Sequence, residues 1–319
     1  MASPAPAPTR PARPGAVVGP RVEVLPAAAS VLAPAELSGP PRPARVLAAF
    51  TTALYLGLGR HDAVLPVLAS DALLLPTGLR LAAPGTQVRW GVAVGDTVEV
   101  GGGRVRLPGL EVRAVRHWRP ARVPSIPGPT PLRVPAVLDA VGDRTLIRQA
   151  TEVTSLALAG TPLGPAVRAL VGAGSGLTPS GDDALCGVLL TLRRHGRLEA
   201  LARLAAAVTA RDGATTSLSA SLLRAAAQGY AVPQAVRLVT ATATATGVAA
   251  TATGVTATAT DATATDPTAP SGPDHDALAA ALPDVLAVGH TSGADLVAGV
   301  AGALAALADP RLPEGASRA

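Results

Sequence analysis

The segment VGAGSGLTPSGDDALCGVLLTL, Val171–Leu192, decides how the rest of the chain is read. Glycines at 172, 174, 176 and 181 surround Thr178-Pro179-Ser180, and two adjacent carboxylates, Asp182 and Asp183, follow at once. Glycine lets the backbone approach a ligand closely. Ala184–Leu192 is apolar and reads as a helix, closed by Arg193, Arg194, His195 and Gly196. Ser180 is the expected N-cap, and basic residues followed by glycine suit a helix C-terminus. A glycine-rich loop feeding a helix N-terminus offers free N–H groups and partial positive charge, a cradle for phosphate or carboxylate. The plainer reading is a glycine-rich turn ahead of a capped core helix. The pattern matches neither the phosphate loop ending in Gly-Lys-Ser/Thr nor a dinucleotide fingerprint behind a clear strand, so it suggests an anion site without naming an activity.

A second copy lies near the C-terminus, in AVGHTSGADLVAGVAGAL, Ala287–Leu304. Ser180–Val188 aligns without gaps to Ser292–Val300, and five of the nine positions are identical: Ser, Gly, the second Asp, the later Gly and Val. Two serine-capped helices are expected, each with a carboxylate in its first turn, Asp183 and Asp295. Gly187 and Gly299 lie one turn further on, near those carboxylates, where small residues let two helices pack closely. Side by side, the two N-termini would aim two sets of N–H groups into one cleft. The candidate binding residues are therefore Gly174, Gly176, Thr178, Ser180 and Gly181 in the first copy and Thr291, Ser292, Gly293 and Asp295 in the second. Ser219, near the start of another expected helix, is added to them.

The carboxylates admit two readings. Asp183 and Asp295 can simply complement helix dipoles. Asp182 has an acidic neighbour and no counterpart in the second copy, where Ala294 stands. An extra carboxylate at an anion site is costly unless it meets a cation, accepts a substrate N–H or titrates. Asp182 and Asp183 are thus candidate acceptors for a substrate amide or ligands of a divalent cation, the one cofactor the sequence suggests. His290, ahead of the second serine, is a candidate general acid or anion contact, although a loop histidine is more often neither.

The flanking sequence reads as α+β. Residues 1–16, rich in Pro, Ala and Arg, read as a disordered tail. From 17 to 119 short alternating runs (Leu54/Leu56/Leu58, Val92/Val94, Val98/Val100) are separated by turn signals, which predicts a strand-rich barrel or sandwich. Arg42–Phe50 fits either a short helix or strands, and Trp90 and Trp118 read as packing residues. Residues 120–135 carry six prolines and read as a linker. A mainly helical domain follows over 136–310, with apolar spacing at Val137, Leu138, Val141 and Leu146, a short helix or turn over Pro165–Val171, a helix over Leu198–Thr209, and another capped by Thr216 or Ser217 and ended by Gly229. The Ala-Thr run at 240–273 lacks apolar bulk and reads as a disordered insertion, and 311–319 as a tail.

Composition excludes several classes. The chain of 319 residues has no lysine and no asparagine, a net charge of +5 and 2% aromatic residues. The arginines are scattered and no nucleic-acid-binding motif appears, so a small anionic substrate is the expected partner rather than nucleic acid. A single cysteine, Cys186, on an apolar helix face excludes a disulfide framework. The N-terminus has no apolar core of a signal peptide, and Leu296–Ala308 is too short to span a bilayer. A soluble cytoplasmic protein without membrane contact is expected.

Three segments in order, GLTPSGDD (Gly176–Asp183), TTSLSASLLRAAAQG (Thr215–Gly229) and VGHTSGADLVAG (Val288–Gly299), resemble the AllH-like family. That family includes a subunit of the multi-subunit oxamate carbamoyltransferase of anaerobic allantoin breakdown. The resemblance covers about Arg133–Ala308 and implies transfer of a carbamoyl group between carbamoyl phosphate and a small acid such as oxamate, with other carbamoyltransferase subunits as partners. Such transfer needs charge stabilisation at phosphate and carbonyl oxygen, which backbone N–H groups supply. The alternative is a non-catalytic anion-binding or assembly subunit at the same site.

Overall fold

The structure, a computed structural model, describes residues 22–59, 63–126, 143–244 and 273–309. The expected terminal tails, most of the Pro-rich run, Val137, Leu138 and Val141, and residues 245–272 of the Ala-Thr run lie outside the described residues. The fold is α+β, a closed eight-stranded barrel followed by a helical half.

The barrel strands are β1 (Glu23–Ser30), β2 (Arg42–Ala49), β3 (Ala53–Gly57), β4 (Val64–Leu68), β5 (Leu79–Leu81), β6 (Thr97–Gly101), β7 (Arg104–Leu107) and β8 (Leu110–Trp118). They close in the order β1-β5-β4-β3-β2-β6-β7-β8. Closure is made by a parallel pairing of β1 and β8, from Glu23 opposite Leu110 to Ser30 opposite Trp118, with a bulge between Ala27 and Ala28. Within Arg42–Phe50, ambiguous by periodicity, Arg42–Ala49 is a strand whose alternate residues Ala44, Val46 and Ala48 are buried. The Val92/Val94 alternation does not form a strand, contrary to expectation. Gly91 and Gly95 both have positive φ, the Asp96 carboxylate accepts the Ala93 N–H at 2.8 Å, and Val94 is 67% exposed, so the segment is a pinned loop.

β4 is buried along its whole length, and the reason positions the rest of the molecule. Leu65 and Val67 fill the barrel beside Leu54, Leu56, Leu79 and Leu81, whereas Val64 and Leu68 belong to the core of the helical half. A strand buried on both faces reads as a continuous apolar run. The barrel thus docks on the helices through one wall, and Ala53, Leu75 and Val123 extend that shared core.

The described helices are α1 (Arg144–Ala159), α2 (Gly164–Leu170), α3 (Ser180–Arg194), α4 (Leu198–Thr209), α5 (Ser217–Ala227), α6 (Pro233–Thr244), α7 (Pro273–Leu286) and α8 (Ser292–Leu307). α3 and α8 are the central pair, and both pack on α1. α3 is buried along most of its length, Cys186 included. The described part of the 120–135 run packs on the helical half: Val123 is fully buried, and the N–H groups of Val123 and Ile126 donate to the carbonyls of Gly229 and Arg194. The described ends of the Ala-Thr run are helical, because Thr240–Thr244 complete α6 and Pro273 begins α7.

Candidate functional site

The repeat seen in the sequence is a repeat of structure. In the first copy α2 leads through a loop into α3; in the second α7 leads through a loop into α8. Gly181 sits so close to α2 that a Cβ would meet the Leu170 carbonyl oxygen at 2.0 Å, and Gly293 is in the same relation to Val285 of α7 at 1.9 Å. The Gly181 N–H donates to the Ala173 carbonyl at 2.9 Å, and the Gly293 N–H to the Val288 carbonyl at 3.0 Å. Leu170 and Ala173 therefore correspond to Val285 and Val288. From there to the Ser-Gly pair the first loop is three residues longer.

The two copies cross at their glycines. A Cβ on Gly187 would lie 2.3 Å from the Leu296 carbonyl oxygen, and one on Gly299 2.0 Å from that of Ala184. Backbone meets backbone at this crossing, as the small residues predicted. The crossing brings the loops together. Thr178 Oγ1 and Ser292 Oγ are 2.9 Å apart, linking first loop to second helix.

The serines do not cap. α3 begins at Ser180 with Pro179 in the N-cap position, α8 begins at Ser292 with Thr291 there, and neither helix has a side-chain cap. The shift of one residue leaves Ser292 free to bond Thr178. The first-turn N–H groups differ from expectation as well. Those of Asp182 and Asp183 donate to Pro179, that of Asp295 to Thr291, and those of Gly181 and Gly293 to the loop carbonyls named above. These five groups are taken up within the chain, which narrows the anion cradle that the sequence suggests.

Carboxylates gather where that cradle was expected. Asp183 is 8% exposed and Asp295 9%, and one oxygen of each, Oδ2, is buried without a hydrogen-bond partner. Among the described residues no basic side chain forms an ion pair with either. Burial pushes the Asp183 carboxyl up to about 7; the hydroxyls of Ser292 and Thr178 favour its charged form, while Asp295 and Asp182 oppose it. Burial likewise raises the Cys186 thiol, with Asp183 and Asp182 adding to the effect, so this cysteine is no thiolate nucleophile.

Asp182 plays a different part. Its Oδ1 accepts the Gly172 N–H at 3.0 Å and its Oδ2 the Thr215 hydroxyl, so both oxygens are engaged. It ties the start of the first loop to the segment leading into α5. A second tie lies beside it: Thr216 Oγ1 donates to the Leu177 carbonyl at 2.5 Å while accepting the Ser219 N–H at 3.0 Å, which makes Thr216 the cap of α5. Thr216 is the one of the two expected caps that caps this helix, Thr215 was legible only as part of a longer segment, and the bracing role of both appears only in three dimensions. Ser219 is buried in the first turn of α5. In Gly174, with φ of +119°, a Cβ would meet the Ser180 nitrogen at 2.7 Å, so this residue shapes the loop. Gly176 lies exposed with open space where a Cβ would stand, and His290 and Thr291 are exposed on the second loop.

The structure thus brings Thr178, Ser292, Asp183 and Asp295 together, turns Asp182 towards Gly172 and Thr215, and leaves His290 at the rim. Among the described residues there is no group of three or more His, Cys, Asp or Glu placed to hold a metal ion by itself, and no helix long and apolar enough to cross a membrane.

The sequence model of one family, described as oxamate carbamoyltransferase subunit AllH, matches residues 170–265. The match takes in the first loop, α3 and the bracing threonines, and stops short of α8 and the second Ser-Gly copy. No curated protein and no solved structure matches the chain.

Proposed function

We propose that the chain is a subunit of a carbamoyltransferase-type enzyme and holds carbamoyl phosphate or a small carboxylate-amide such as oxamate where α3 and α8 meet. The observation that carries this reading is the pair of buried, half-unpartnered carboxylates, Asp183 and Asp295, beside the linked Thr178 and Ser292 hydroxyls. Buried polar oxygens without partners are expensive, and a bound ligand relieves them. Carbamoyl and oxamate groups both end in NH2, which suits carboxylate acceptors. The family match over residues 170–265 adds the reaction class.

Carbamoyl transfer to an amide nitrogen forms an N–C bond, breaks the C–O bond to phosphate and releases one N–H proton. The departing phosphate, which gains charge as the C–O bond breaks, is suited to take that proton, and Asp183 orients the reacting groups. Asp295 orients the NH2 group, and Thr178 and Ser292 contact the ligand's oxygens. Asp182 positions the loop through Gly172 and Thr215 and does not itself touch substrate.

The test is a carbamoyl phosphate plus oxamate assay with the full chain, alone and with candidate partner subunits. Turnover that falls at least tenfold in Asp183→Asn, with the fold unchanged, supports the reading. Phosphate or oxamate binding without turnover in any combination assigns the chain instead to a binding or assembly role.

A further inference from the structure

The charge of the site is wrong for the anions the proposed reading requires. Carbamoyl phosphate and oxamate are both negative, yet the surroundings of Asp183 hold Asp295 and Asp182, and among the described residues no basic side chain pairs with Asp183 or Asp295. Of the first-turn N–H groups that could offset this, those of Gly181, Asp182, Asp183, Gly293 and Asp295 are bonded to Ala173, Pro179, Val288 and Thr291. Each of the two carboxylates is more than nine-tenths buried and keeps one oxygen with no partner. Buried charges are paired or coordinate metals.

We propose that Asp183 and Asp295 together hold one divalent cation of the Mg2+/Mn2+ type, and that this cation carries the phosphate end of the substrate into the site. The assignment rests on the proposed function for the identity of the phosphate ligand, and on the unpartnered oxygens for the cation. Two carboxylates do not make a complete protein cage. Mg2+ does not need one: it keeps several waters and is commonly held by one or two carboxylates together with substrate phosphates. The unpartnered Oδ2 atoms supply two ligands, one from each copy of the repeat. The Thr178 and Ser292 hydroxyls, bonded to each other and to Asp183, border the same place. Asp182 is not part of the set, because Gly172 and Thr215 occupy both of its oxygens. The cation also brings the net charge of the pair to zero, which removes the repulsion an incoming phosphate would meet.

The experiment is Mn2+ uptake by the full chain, followed by calorimetry and by loss of the free Mn2+ spin-resonance signal, then inorganic phosphate binding with and without Mn2+. One Mn2+ per chain is expected, at least tenfold weaker in Asp183→Asn and in Asp295→Asn, with phosphate binding strengthened at least tenfold by the metal. No uptake by the wild-type chain, uptake unchanged in both variants, or phosphate binding equally well in EDTA overturns the proposal. The phosphate comparison uses only wild-type chain, so it decides the matter even where a variant fails to fold. Mn2+ uptake without oxamate turnover defeats the proposed reaction and leaves the cation site standing; undiminished turnover in EDTA does the reverse.

Discussion

Replacing Asp183 by Asn should stabilise the protein at neutral and alkaline pH, by an amount that depends on pH in a defined way. Burial, with Asp295 and Asp182 nearby, moves the Asp183 carboxyl from 3.8 to about 7. Below 3.8 both folded and unfolded chains hold the proton, and the group contributes nothing. Between 3.8 and about 7 the folded chain keeps a proton that the unfolded chain has released, so stability falls as pH rises. Above about 7 the penalty is complete. At 1.36 kcal/mol per pH unit, the interval from 3.8 to about 7 amounts to about 4 kcal/mol. Asparagine has the shape of the protonated acid and cannot ionise. The assay is urea unfolding of wild-type and Asp183→Asn chains from pH 4 to 8.5 in EDTA. The stability difference should be near zero at the acid end, grow in favour of the variant, and level off above pH 7 at a few kcal/mol. Parallel profiles, or a variant less stable than wild type at pH 8, would refute the reasoning. Adding Mn2+ at pH 8 should stabilise the wild type and not the variant.

Other perturbations follow from the same geometry. Gly299→Ala would drive a Cβ to 2.0 Å from the Ala184 carbonyl oxygen, where backbone cannot give way, so thermal unfolding should show a loss of about 3 kcal/mol or a chain that does not fold. Asp182→Ala and Thr215→Val should each destabilise by about 1–3 kcal/mol, and a double-mutant cycle should find the pair coupled, because each substitution breaks the same bond. His195 is buried, with Arg194 and Arg197 adding to the effect, and its imidazole is lowered from 6.5 to about 4. The stability this neutral histidine confers is complete above pH 6.5 and is lost as pH falls towards 4, so unfolding of His195→Gln should lack an acid-side loss of about 3 kcal/mol. That loss runs opposite in sign to the Asp183 effect over the same range, so the wild-type profile is flatter than either component. Differences between variants separate them.

The architecture was legible where local patterns carry it. Alternation at Leu54/Leu56/Leu58 and Val98/Val100, with the turn signals around it, predicted the strand-rich half over 17–119, and apolar spacing, capping and glycine signals gave α4 and α5 to within a residue or two. The failures have physical causes. Val92 and Val94 alternate as a strand would, but two glycines of positive φ and the Asp96 carboxylate pin them into a loop. Only the end of α6, Thr240–Thr244, and the first residue of α7 fall in the Ala-Thr run, which has no apolar periodicity of its own; Leu238, Val239, Leu278 and Leu282 flank it at helical spacing and enter the core. Within the site, which residues would meet was legible from the repeat, but which donors remained free was not. Gly181 and Gly293 read as anion-facing N–H donors, and only the return of the Ala173 and Val288 carbonyls reveals them as occupied.

The difference between the two copies is where the structure sharpens the sequence most. Asp182 and Ala294 break the symmetry, and an unpaired extra carboxylate looked like the place for a substrate. The asymmetry has a neighbour that explains it. Thr215 and Gly172 receive Asp182, so the carboxylate is a brace for the longer of the two loops. That loop needs bracing because its three additional residues fall in the stretch that contains Thr178, and Thr178 is the residue that reaches Ser292 in the other copy. The symmetric residues are then the ones left with unfinished chemistry. Asp183 and Asp295 occupy equivalent positions at the crossing that Gly187 and Gly299 make possible, and each keeps a buried oxygen with nothing to bond. A duplicated helix–loop–helix gives two equivalent carboxylates, each with one buried oxygen that no other group of the chain completes.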